Sequence, residues 1–168
     1  MDFYGCLKSA KKETFRLEMR DEYRVKEEDR ELEIWRNTGK FEPGEGGKQW
    51  ARDLEALRAR GVITHRVHVV TVPLSDYLRF EIAAYAEDVN YIERDDYAGI
   101  KKPFEPQEFW LIDEKHLFIV KYDQEGHWLG NNYTDDAKIV ERHAMMKDLL
   151  ISKALPLEEF AKKNRISL

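Results

Sequence analysis

The feature that most constrains the fold is a strand, a proline and an amphipathic helix in immediate succession between Arg66 and Val89. Val67, Val69, Val70 and Val72 make His65–Val72 a strand by their β-branched content. Pro73 cannot continue a central strand, because it has no N–H to donate. Ser75 or Asp76 can then cap a helix. Leu74, Tyr77, Leu78, Ile82, Tyr85 and Val89 recur at steps of three and four apart from one adjacent pair, which is one helical face. A helix following a strand in this way packs on the sheet that contains it.

The rest of the chain extends that unit. Phe3 to Tyr23 has helical spacing, although Phe15 and Leu17 alternate and the stretch after Thr14 also reads as extended. Glu27–Asn37 reads as a short helix with Gly39 as its stop. Lys40–Lys48, with Pro43, Gly44, Gly46 and Gly47, reads as a loop. Gln49–Arg60 reads as a helix ended by Gly61. Asn90–Glu93 is a candidate strand. Glu108–Asp113, Leu117–Tyr122 and His127–Asn131 read as an antiparallel meander, with turn chemistry at Asp113–Lys115 and Asp123–Gly126. Asp135–Ile151 is a helix by its apolar spacing, capped by Thr134, and Pro156 opens a last short one. The expectation is an α/β fold, with α+β as the variant, in which helices pack on a mixed sheet. It is one domain over 1–168, with a mainly helical amino-terminal layer at 1–61 and an α/β core at 62–168.

Composition narrows the function classes. A chain of 168 residues suits one core. Its net charge of −5 gives no surplus of Lys and Arg to neutralise phosphates, so nucleic-acid binding is not expected. The single cysteine, Cys6, excludes an internal disulfide and a cysteine-based zinc site. The amino terminus has neither the basic start nor the apolar run of an export signal, and no stretch approaches a membrane span, so the expected compartment is the cytoplasm and no membrane association is expected. A homodimer is compatible with the sequence.

Candidate chemistry is sparse. Pro43–Lys48 lacks the phosphate-loop pattern, since Glu42 stands where its first glycine belongs and Gln49 where Ser or Thr belongs. The five histidines form no ligand pair, so no metal and no cofactor is expected. The densest candidate is Ser75, Tyr77, Arg79 and Glu81, at a helix start just beyond a strand, where open α/β sheets bind ligands and a helix amino terminus favours an anion. Arg79 offers a planar fork for a small anionic ligand. The bland reading pairs it with Asp76 on the helix surface. Trp110 and Asp113 form the second cluster, in a strand whose alternation puts Phe109 and Leu111 on one face and Glu108, Trp110 and Ile112 on the other. Asp113 reads either as a turn residue or as a partner for Arg79 across the sheet end.

Two segments resemble a known family. Arg66-Val-His-Val-Val-Thr-Val-Pro-Leu-Ser-Asp-Tyr-Leu-Arg-Phe-Glu81 and Glu108-Phe-Trp-Leu-Ile-Asp113 are similar to the signatures of an uncharacterised bacterial family catalogued as a domain of unknown function. Phe15-Arg-Leu-Glu18, Tyr23 and Asp123–Gly126 resemble it too, so the likeness runs from about Ser9 to Phe160. The resemblance implies a gene often placed beside a helix-turn-helix regulator, and so a protein partner. It implies no activity. The order of elements also resembles half of a phospholipase D-like fold. Aligning Asp113 with the catalytic aspartate of those enzymes puts Pro106 and Glu108 where they carry histidine and lysine, which implies a version without the chemistry. The leading expectation is a non-catalytic regulatory or partner-binding module. The alternative is a phosphodiester- or nucleotide-directed enzyme or toxin-like effector using Arg79, Glu81 and Asp113.

Overall fold

In a computed structural model, which describes residues 1–85 and 88–168, the chain forms a seven-stranded mixed sheet with helices on both faces. The helices are α1 (Phe3–Lys8), α2 (Asp29–Thr38), α3 (Glu45–Ala59), α4 (Asp76–Tyr85), α5 (Arg94–Ala98), α6 (Ala137–Lys153) and α7 (Leu157–Asn164). The strands are β1 (Glu13–Glu18), β2 (Ile63–Val70), β3 (Val89–Glu93), β4 (Phe109–Ile112), β5 (His116–Tyr122), β6 (Trp128–Thr134) and β7 (Leu155–Pro156). Their spatial order is β6-β5-β4-β1-β2-β3-β7. β1, β2 and β3 run parallel, and the other pairings are antiparallel.

The unit around Arg66–Val89 forms largely as its pattern dictates. β2 leads through Pro73 into α4, which Ser75 caps: its Oγ accepts from Leu78 N at 3.1 Å and donates to Asp21 O at 2.8 Å. The helical face does not extend to Val89, which opens β3; residues 86 and 87 of the expected helix lie outside the described residues. The meander is present as β4, β5 and β6. Several boundaries move, and Asp136 rather than Thr134 caps α6. α3 starts at Glu45, so the glycine-rich stretch is partly the first turn of a helix. α1 is short, and the stretch after Thr14 takes its extended alternative.

β1 also revises the expected layering. The first 61 residues are mainly helical, but they supply the strand at the middle of the sheet, hydrogen-bonded to β2 on one side and β4 on the other. The amino-terminal stretch is therefore joined to the core through β1. Alternation along β1 sends Phe15 and Leu17 to one face and Thr14, Arg16 and Glu18 to the other, and all five are buried.

The two faces differ in chemistry. On one, Phe15, Leu17, Val67, Val69, Phe109, Leu111 and Leu117 pack under Val140, Met146 and Leu150 of α6. This is the main apolar core. On the other, two apolar clusters flank a charged middle, and a third gathers Val70, Leu78, Val89, Tyr91 and Phe160. Of the flanking pair, one joins Leu7 of α1 and Leu57 of α3 to Ile112 and Phe118. The other gathers Tyr23, Tyr77 and Phe80, with Leu32, Trp35 and Phe41 packed against them. Edge strand β6 exposes Trp128 (61%) and Leu129 (66%), the largest apolar side chains on an unpaired strand edge. No helix among the described residues is long and apolar enough to cross a membrane.

Candidate functional site

Between those two apolar clusters lies a cleft of about 720 Å³, within the range of small-ligand sites. Its floor is the sheet: Arg16 and Glu18 from β1, Arg66 from β2, Trp110 from β4 and Tyr122 from β5. Its walls are Phe3 and Tyr4 of α1, the segment bearing Tyr23 and Glu28, Glu31 of α2, Gly44–Gly47 and Trp50 at the start of α3, and Tyr77, Glu81 and Tyr85 of α4.

The floor is a buried charge network. In the sheet register Arg16 lies across from Arg66 on β2, an arrangement that would repel. Glu18, two residues along the same face, relieves it. Its carboxylate takes a bidentate grip from Arg66, Nε to Oε2 at 3.2 Å and Nη2 to Oε1 at 3.1 Å, and lies 3.9 Å from Arg16 Nε. Arg16 Nη2 donates to Glu108 Oε2 at 2.6 Å and to Tyr122 Oη at 3.2 Å. Glu108 also accepts from Tyr23 Oη at 2.8 Å and from Met19 N at 3.0 Å. Burial opposes the charge on Arg16 and Arg66, but the facing carboxylates win and hold both above the ordinary guanidinium value. Burial likewise opposes the charge on Glu18, yet Arg66 and Arg16 keep it ionised well below the usual carboxylate range.

Glu81 is pushed the other way. It is buried beside ionised Glu18, and both effects raise its carboxyl well above the ordinary value, with Arg66 only partly offsetting them. Glu81 therefore holds its proton to higher pH than an ordinary carboxyl. His68, buried on β2, is held below its usual value by desolvation. Its Nε2 lies 2.8 Å from Arg20 O, an acceptor only, so Nε2 carries the proton. Nδ1 is left facing Glu81 Oε2 at 3.7 Å, too far for a hydrogen bond.

Two atoms in this network are buried without a hydrogen-bond partner among the described residues: Arg16 Nη1 and Glu81 Oε2. Orphaned buried polar atoms are few in native folds and cost free energy when nothing meets them. Both residues line the cleft.

Sequence reasoning placed three residues here: Tyr77, Glu81 and Trp110. The other three serve structure elsewhere. Ser75 is the α4 cap. Arg79 donates to Ser167 O at 2.9 Å, and Asp76 pairs with Arg36 rather than with Arg79. Asp113, in a left-handed turn conformation (φ 54°), accepts backbone N–H donors from Lys11, Lys12 and Glu13, at 2.8 Å from Lys12. Burial would raise its carboxyl, but those donors hold it below the usual value. It sits at the Glu13 end of β1, five residues from Glu18, about 17 Å along a strand. Arg79, Glu81 and Asp113 thus form no common site.

The residues missed were Arg16, Glu18, Arg66, His68, Glu108, Tyr23 and Glu28. The alternation Phe15-Arg16-Leu17-Glu18 carried the available signal, since charged residues alternating with apolar ones on a strand buried on both faces must meet partners. The glycine run matters here too. Gly44 N donates to Glu31 Oε1 at 2.7 Å, and a Cβ on Gly44 would meet that oxygen at 2.8 Å. The amino terminus of α3 is thus already held by a carboxylate.

Fold and site together define a mixed α/β domain with an aromatic-walled cleft over a buried ion network. The chain belongs to the family described as Domain of unknown function (DUF6879), whose model matches residues 1–162. No curated protein matches it.

Proposed function

We propose that the protein is a non-catalytic regulatory module of the bacterial cytoplasm that works with a helix-turn-helix transcriptional regulator and receives a ligand in the cleft above β1. The observation that carries the binding half is the pair of buried, unpartnered atoms, Arg16 Nη1 and Glu81 Oε2. A fold that tolerates two such atoms on residues lining one cleft is suited to a ligand that satisfies them. The partner half rests on the family resemblance and on the exposed Trp128 and Leu129 of β6, where a strand of the regulator would add to the sheet and bury apolar area. The non-catalytic half is supported by Asp113. A likeness to a phospholipase D-like half would make it the catalytic aspartate, yet its carboxylate is taken up by three backbone donors, with Pro106 and Glu108 in the flanking positions. Co-purification of the full chain with the regulator encoded beside it tests the proposal. A stable complex is expected. A hydrolytic activity abolished by one substitution in the cleft would overturn it.

One observation favours an enzymatic second reading. Glu18 and Glu81 are neighbouring carboxyls pushed in opposite directions, the arrangement that separates a base from an acid. The set Arg79, Glu81 and Asp113 is not available to it. Turnover of nucleotides or phosphodiesters that disappears in Glu81→Gln would support this reading.

A further inference from the structure

We infer that the cleft takes an uncharged planar heterocycle whose edge carries a hydrogen-bond acceptor beside a donor, the chemistry of a nucleobase or nucleoside, and that it disfavours the phosphorylated form. The inference rests on the proposed ligand-binding role of the cleft and names the ligand.

Arg16 fixes the acceptor. Its side chain is only 4% exposed, and its charge is already balanced by Glu108 and Glu18. What Nη1 lacks is a lone pair, which a carbonyl oxygen or ring nitrogen supplies without adding charge. Glu81 fixes the other half. The groups around it are Glu18 from β1, Arg66 and His68 from β2, Tyr77 on its own helix, Glu28 from the segment before α2, and Glu108. None of them hydrogen-bonds Oε2. In its protonated form this carboxyl donates through one oxygen and accepts through the other, so it matches a ring N–H or amino group with an adjacent acceptor. Both residues line the one cleft.

The walls suit a flat ring. Trp50 and Trp110 lie edge-to-face with centroids 5.7 Å apart, and Tyr77 and Tyr122 line the same cleft. Stacking on such side chains contributes about 1–3 kcal/mol per base elsewhere. Charge decides against a phosphate. Six glutamates and two arginines line the cleft, and both arginines are already paired. The positive end of α3, the natural seat for an anion, is occupied by Glu31. A simple organic cation fits poorly for the opposite reason, since it would leave Arg16 Nη1 without an acceptor.

Calorimetric titration and thermal shift of the full chain with adenosine, guanosine, cytidine and uridine, and with their 5′-monophosphates, test the inference. At least one nucleoside should bind at submillimolar concentration, with its monophosphate weaker by about tenfold or more. Glu81→Leu should abolish binding without lowering the melting temperature of the free protein, because it removes an orphaned buried acid. Trp50→Leu, at the rim, should weaken binding as an independent check. Equal or tighter binding of the monophosphate would overturn the inference, as would silence from all four nucleosides. If the nucleosides are silent while the regulator still co-purifies, the ligand class alone fails. If the regulator is lost as well, the proposed function fails with it.

Discussion

The two faces of the sheet solve the same burial problem with opposite chemistry. Phe15 and Leu17 on one side of β1 are as buried as Arg16 and Glu18 on the other are nearly so. The first side gains from every methylene removed from water. The second removes charges from water, and that cost is recovered only while every charge keeps its partner. The apolar face is thus tolerant in kind and sensitive to volume, whereas the charged face is sensitive to any single loss. A domain built for stability alone would have two faces of the first type. The second type suggests that the charged face is kept for what it can hold.

The largest effect comes from removing the strand both faces share. A fragment of residues 62–168 loses β1 from between β2 and β4. It should show no cooperative unfolding transition by circular dichroism; a folded fragment would mean that the faces are separable. Next comes a matched pair of lesions. Phe109→Ala on the apolar face should cost about 3–5 kcal/mol by urea denaturation, as a cavity. Arg66→Ala on the charged face should cost a similar ~3–5 kcal/mol, because Glu18 is left buried and partly unpaired. The double change Glu18→Leu with Arg66→Met should recover most of that loss, which no second truncation would do on the apolar face. Failure of the recovery would erase the distinction.

The smallest effect is a slope. The unfolded Glu81 carboxyl releases its proton near 4.5, while the folded one retains it to higher pH. Stability from this group therefore falls as pH rises above 4.5. Glu18 acts oppositely, its contribution being present above 4.5 and lost as pH falls through its depressed folded value. His68, buried neutral, loses stability as pH drops below 6.5. Melting temperatures at pH 5 and pH 8 should show Glu81→Gln gaining on the parent as pH rises, while an unchanged difference would return Glu81 to an ordinary ionised carboxylate.

The apolar face was largely legible in the sequence, because valines and leucines at period two and a helical stripe are read directly. The charged face was not. On a strand, Arg16 and Glu18 look like solvated positions until their neighbours from β2 and β4 are known, and those lie far along the chain. Glu81 was found, but with the wrong companion. Arg79 stands two residues before it, roughly 200° around the helix, so the two cannot face one cleft. Tyr77, four residues before it, can and does.

The position of β1 sets an order of assembly. Thr14 pairs with Thr64 on one side and with Ile112 on the other. During synthesis the parallel half of the sheet is complete well before β4 leaves the ribosome. At about 5–20 residues per second, synthesis from the end of β2 to the end of β4 takes about 2–8 s, and for that time β1 has one hydrogen-bonding edge bare. Its buried arginine waits as well, since Glu108 comes with β4. The nascent chain thus carries an unpaired strand edge beside an unneutralised charge, and that charge discourages another chain from pairing there before β4 arrives.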